Sequence, residues 1–261
     1  MKITIKLLSK ALLATAALAG PIRISRTSQS LKKISHHDDT NWAGAVLTAP
    51  AGESFYAIIG SFVVPELNPP THSGAEGEWS GSAWVGIDGW GDSKLMQAGI
   101  AWNVYADKNG NLTRSYQAWH EWLPNGATNF DGFEINAGDM ITVLVEANSA
   151  SSGWCIIQNE STNLGVGIKM AAPNNASFIV GKTAEWIVED FQSGGFVPFA
   201  NFLKVEWTNC KADSGPAGFT DGSTSSFSPG DSTTLVDISQ KGVSMTSTVT
   251  SGNNVTIMYI A

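Results

Sequence analysis

The chain has 261 residues, 43% of them hydrophobic and 15% charged, with a formal net charge of −8. That is apolar material enough for a folded core, which excludes general disorder, and the acidic balance argues against nucleic acid as a partner. Two cysteines are too few for a disulfide scaffold, no CxxC or HExxH marks a zinc site, and no apolar run reaches the length of about 18 residues that a membrane span needs.

The net charge hides a division. Lys2, Lys6, Lys10, Arg23, Arg26, Lys32 and Lys33 all precede the first carboxylate, Asp38, so a cationic leader runs into a strongly acidic body. Residues 1–19 have the form of a secretory signal: lysines first, an apolar stretch over Ala11–Ala19, and the small-x-small string Ala17-Leu18-Ala19 before the cut. A secreted, extracellular protein with no membrane association after cleavage is expected. Residues 20–39 show neither helical nor strand periodicity and end in His36-His37-Asp38-Asp39. They read as a flexible arm, or as a short propeptide whose cations dock on an acidic cleft and let go as its carboxylates lose charge at low pH.

From Asn41 onward, apolar segments alternate with Gly, Asn, Asp and Ser punctuation. The predicted strands are 42–48, 55–64, 82–88, 95–105, 115–122, 140–147, 153–159, 164–170, 177–190, 203–209, 233–238, 243–249 and 254–260. Turn strings separate them, among them Asp107-Lys108-Asn109-Gly110 and Pro173-Asn174-Asn175. Many short strands and no long 3.6-residue period predict an all-β sandwich or closed barrel, a single domain over 40–261.

Three of these strands carry an unusual second face. Met96, Ala98, Ile100, Trp102 and Val104 form one side of 95–105 and leave Gln97, Gly99, Ala101, Asn103 and Tyr105 on the other. In 82–88 the apolar set Ala83, Val85 and Ile87 leaves Trp84, Gly86 and Asp88. In 184–190, Ala184, Trp186 and Val188 leave Glu185, Ile187 and Glu189. Placed in one sheet, these second faces gather aromatic, amide and carboxylate groups as the floor of a binding cleft would.

Serine chemistry has no G-x-S-x-G string here, and among the histidines only His120 falls on a predicted strand. Cys155 reads as packing, with a bridge to Cys210 open. Asp213-Ser214-Gly215 reads as a turn, since a second such string for an aspartic-protease pair is absent. What remains is chemistry by carboxylates and amides. Glu185 and Glu189 share a face about 13 Å apart on a flat strand, so they need curvature to act as a glycosidase pair. A glycoside hydrolase or a carbohydrate-binding module with a Trp-lined cleft is therefore the alternative reading.

Several strings resemble one family. Asn41-Trp42-Ala43-Gly44-Ala45-Val46, Ser82-Ala83-Trp84-Val85-Gly86-Ile87-Asp88-Gly89, Gln97-Ala98-Gly99, Trp119-His120-Glu121-Trp122, Ala184-Glu185-Trp186-Ile187-Val188-Glu189-Asp190-Phe191 and Val197-Pro198-Phe199-Ala200 are similar to the glutamic peptidases, or eqolisins. The resemblance implies an antiparallel two-sheet, concanavalin-like jelly-roll sandwich and an acid-acting secreted endopeptidase made as a precursor. It implies no cofactor and no metal, a protein or peptide substrate, and a monomer. It places the catalytic pair on Gln97 and Glu185. Glu185 would activate water as a carboxylate base and return the proton to the leaving amine, while the Gln97 amide stabilises the oxyanion. Trp84, Trp42, Asp88 and Glu189 are the expected substrate-binding residues.

Overall fold

The computed structural model describes residues 34–71, 73–74, 76–191, 197–219, 224–231 and 233–261. The signal sequence, the cationic part of the leader and His72 lie outside the described residues. In chain order the strands are β1 (Ile34–Asp39), β2 (Trp42–Thr48), β3 (Glu53–Val63), β4 (Gly77–Ile87), β5 (Met96–Ala106), β6 (Leu112–Trp122), β7 (Thr128–Asn129), β8 (Met140–Ser149) and β9 (Ser152–Asn159). They continue with β10 (Leu164–Ala171), β11 (Thr183–Glu189), β12 (Lys204–Pro216), β13 (Ser225–Phe227), β14 (Thr233–Gln240), β15 (Val243–Ser244), β16 (Thr246–Ser251) and β17 (Asn254–Tyr259). Among the described residues, one 3₁₀ turn, Asn175–Ser177, interrupts them.

Two sheets result. The first has the order β1-β14-β2-β11-β4-β5-β6-β7 with β15 on β14, and the second β10-β9-β8-β3-β12-β17-β16 with β13 on β12. Apart from the parallel β1–β14 pair, the strand pairings are antiparallel. The core lies between the sheets and takes the faces that alternation assigned to it: Met96, Ala98, Ile100 and Trp102 from β5, Ala83, Val85 and Ile87 from β4, and Ala184, Trp186 and Val188 from β11. Trp186 is fully buried, and its indole N–H donates to the Ile59 carbonyl of the opposite sheet at 2.9 Å. A buried Trp whose one polar atom is satisfied gains its full apolar burial without a desolvation cost.

The central strands approach closely. A Cβ on Gly99 would fall 2.1 Å from the Ala83 carbonyl oxygen and 2.6 Å from the Trp84 Cβ. The glycine of the Gln-x-Gly string therefore allows β4 to approach β5 closely at Trp84, two residues from Gln97.

Several expectations are corrected. Residues 34–39, expected to carry no regular structure, form an edge strand running from Ile34 opposite Thr233 to Asp39 opposite Ile238. The predicted strand 177–190 begins only at Thr183. Ahead of it, Asn174 caps the 3₁₀ turn, and the backbone N–H groups of Val180, Gly181 and Lys182 bond to the Asp88 carboxylate. The segment 243–249 splits at Met245, where the chain leaves the first sheet (β15) for the second (β16). Asp213-Ser214-Gly215 is strand, inside β12, not a turn. Cys155 and Cys210 are both buried free thiols.

Candidate active site

The outer face of the first sheet holds a second, smaller apolar cluster of Val46, Trp84, Leu95, Trp119, Ile187 and Val236. Beside it opens a cavity of about 540 Å³ whose lining includes Asn41, Gln97, Trp119, Glu121 and Glu189. Gln97 and Glu121 are ladder partners on β5 and β6. The Gln97 Nε2–H donates to Glu121 Oε2 at 2.6 Å. That bond sets the amide orientation and leaves one Nε2 proton uncommitted. Burial raises the pKa of Glu121, and the bonds from Gln97 and the Ala127 backbone oppose it.

Glu189 ends β11 and reaches the same cavity. Asn41 Nδ2 donates to its Oε1 at 3.2 Å and Trp84 Nε1 donates to its Oε2 at 2.7 Å. Desolvation raises its pKa to about 7; the bonds from Trp84, Trp42 and Asn41 oppose the rise and the charge of Glu121 adds to it. The carboxyl group is thus held at both oxygens and is neutral in acid. Behind it, the Trp84 ring meets Trp42 edge-on, with centroids 4.8 Å apart and planes at 78°. Asp39 Oδ1 accepts the backbone N–H groups of Asn41 and Trp42 at 2.9 and 3.0 Å, which fixes the turn that presents both side chains.

Glu185 is elsewhere. It is 0% exposed, does not line the cavity, and neither of its carboxylate oxygens has a hydrogen-bond partner among the described residues. Desolvation pushes its pKa well up, and the charge of Asp88 adds to the rise. Gly86 is the ladder position between Gln97 and Glu185. The space above Gly86 is filled by Leu95 Cδ1 and the rim of Trp84, 2.8 and 3.0 Å from where a Cβ would be. An apolar plug therefore separates the two side chains that the sequence reading paired, and the carboxyl groups that share a cavity with Gln97 are Glu121, which its amide binds, and Glu189.

Other expected contacts move as well. Trp84 is fully buried, and its indole N–H is turned to the Glu189 carboxyl group. Asp88, 1% exposed with φ +64°, accepts three backbone N–H groups of the segment leading into β11 and latches that segment to the end of β4. Trp42 is half-buried at the rim. His120 lies opposite Ala98, on the core-facing side of the sheet, against Phe130 with ring centroids 4.8 Å apart. Asn41 and Glu121 were visible in the family strings without a role; the turn at Asp107–Asn111 carries the signal for Glu121, because equal steps back from its two ends set Glu121 opposite Gln97.

The sequence profile of the peptidase A4 family matches residues 40–259. Aspergillopepsin-2 of Aspergillus niger is 35% identical over 97% of this chain and 98% of its own length. Scytalidopepsin B of Scytalidium lignicola is 36% identical over 67% of this chain and 64% of its own. The crystal structure of scytalido-glutamic peptidase with a transition state analog inhibitor superposes with a TM-score of 0.66 at 30% identity, over 85% of this chain and 99% of that one. The two-sheet fold is that of a solved glutamic peptidase. The chain belongs to the peptidase A4, or eqolisin, family and is a glutamic endopeptidase. Membership in a peptidase family sets aside the glycan readings.

Proposed function

We propose that the protein is a secreted, acid-acting endopeptidase whose working pair is Gln97 and Glu189, with Glu189 taking the role that the sequence reading gave to Glu185. The observation that carries this is the shared cavity, in which Glu189 has an N–H donor on each oxygen and Gln97 is fixed by Glu121.

In acid Glu189 is neutral, since its pKa is about 7. A neutral carboxyl group carries one O–H donor and retains acceptor capacity, so it acts on both sides of one step. As a water oxygen bonds to the scissile carbonyl carbon, a water proton passes to Glu189 while the Glu189 hydroxyl proton passes to the carbonyl oxygen. The uncommitted Gln97 Nε2–H bonds the charge developing on that oxygen. A neutral gem-diol results and Glu189 is again a neutral acid. It then protonates the amide nitrogen and takes a proton from a gem-diol hydroxyl as the C–N bond breaks, which releases acid and amine. Because an amide does not titrate in this range, Gln97 serves at any acid pH.

Incubation of the secreted protein with denatured casein and with β-glucans over pH 2–8 tests the reading. Peptide release in acid without sugar release is expected. Sugar release, or peptide release confined to alkaline pH, would contradict it.

A further inference from the structure

A second cavity, of about 520 Å³, opens on the far side of Asn41 and Trp42. Asn41 lines both cavities, so they share the wall whose amide holds Glu189. The new cavity is aromatic. The rings of Trp42 and Trp90 lie 6.3 Å apart, tilted by 32°, and His37 meets Trp90 edge-on at 5.2 Å and 87°. Trp90 is only half-buried, on a turn between Gly89 and Gly91, both with positive φ (+116° and +71°). A Cβ on Gly89 would press to 3.0 Å on the Trp42 ring, so the turn is shaped to bring the two indoles together.

The outer wall comes from β1. Every residue of that strand except Asp39 is exposed, so it adds little to the core. What it does supply is His37 against Trp90 and the Asp39 carboxylate beneath the backbone of Asn41 and Trp42. Asp39 spends one carboxylate oxygen on those two N–H groups; the wall left for a guest has both polar and apolar parts, the apolar part being the Trp42 and Trp90 ring surfaces. Such surfaces select another ring, held edge-to-face or offset as His37 already is.

The geometry points to this cavity as a substrate subsite for an aromatic side chain close to the scissile bond, its outer wall built by His37 and Asp39. The inference rests on the reading of the adjoining cleft as the peptidase centre. It follows that β1 stays with the mature enzyme and that the maturation cut falls before Ile34, so that any segment removed from the leader ends upstream of the strand.

The test uses peptide pairs that differ only by Phe or Ala at each position flanking the cleaved bond. The wild type prefers Phe at one position. Trp90→Ala loses that preference by about tenfold in kcat/KM, through KM, while cleaving the Ala peptide as the wild type does, and Trp90→Phe restores most of it. Equal losses on both peptides, or no Phe preference at any position, would overturn the subsite while leaving the peptidase reading intact. Cleavage of no peptide by the wild type would sink that reading and the subsite with it. N-terminal sequencing of the active enzyme should find a start at or before Ile34; a start at Thr40 with the Phe preference kept would overturn the role given to β1.

Discussion

The two ends of β11 hold a glutamate each, on the same face and four residues apart, and they differ in almost every chemical respect. Thr183 through Val188 are buried, and Glu189 alone on the strand is partly exposed. At the Glu185 end, Leu95 and the Trp90 turn close over the sheet, and a carboxyl group is left with unpartnered oxygens. At the Glu189 end the sheet opens, and an indole and an amide each point an N–H at the carboxyl oxygens. What distinguishes the carboxyl group that reaches the cavity from the buried one is the cover supplied by neighbouring strands and loops, with the strand's own sequence nearly symmetric about Ile187.

The sharpest way to break the comparison is to remove each acid in turn. Glu189→Gln should lower kcat/KM on an acid-cleaved peptide by about 10²–10⁴-fold, the range general acid–base catalysis supplies, whereas Glu185→Gln should leave it within a few-fold. Inactive, folded Glu185→Gln beside active Glu189→Gln would reverse the assignment. Gln97→Ala should cost about 10²–10³-fold in kcat with little change in melting temperature, as for loss of one oxyanion donor.

Stability sharpens the comparison on a smaller scale. The folded-state pKa values of Glu185, Glu189 and Asp190 are all raised, chiefly by desolvation, the last two to about 7 and about 6. A raised carboxyl pKa means that the folded state holds its proton longer than the unfolded one. The stability is then fully present below about pH 4.5 and is lost as pH climbs through the folded values. Glu189 alone, moved from 4.5 to about 7, corresponds to roughly 3 kcal/mol at about 1.4 kcal/mol per pH unit. Urea midpoints should therefore fall between pH 4 and 8, and Glu185→Gln should flatten that fall; an unchanged slope in the variant would show that Glu185 is not held neutral. Smallest is the effect of Trp84→Phe, which deletes a donor to ionised Glu189. The alkaline limb of kcat/KM, where activity is lost as Glu189 ionises, should move up by about one pH unit. A downward move would contradict the part given to the indole.

Much of this was legible in the residues. Alternation alone separated the core side of β4, β5 and β11 from the cleft side, because a strand with one buried face leaves no other register for Ala184, Trp186 and Val188. Gln97 follows from the same alternation together with the Gln-x-Gly string. The choice between Glu185 and Glu189 was not legible: it depends on where Leu95 and the Trp90 turn come to rest, which alternation along β11 does not set. Nor was β1 legible, since a polar edge strand such as Ile34–Asp39 buries almost nothing and shows no apolar period. The late start of β11 has a similar origin, in three N–H groups drawn off the ladder by Asp88, a residue 92 to 94 positions earlier in the chain.

A crystal structure of the enzyme with a peptide analogue carrying a tetrahedral hydroxyl in place of the scissile carbonyl tests the central claim most directly. The hydroxyl is expected within about 2.6–3.2 Å of both a Glu189 oxygen and the Gln97 amide, with Glu185 still covered by Leu95. A hydroxyl bonded to Glu185, with Leu95 displaced, would contradict the account.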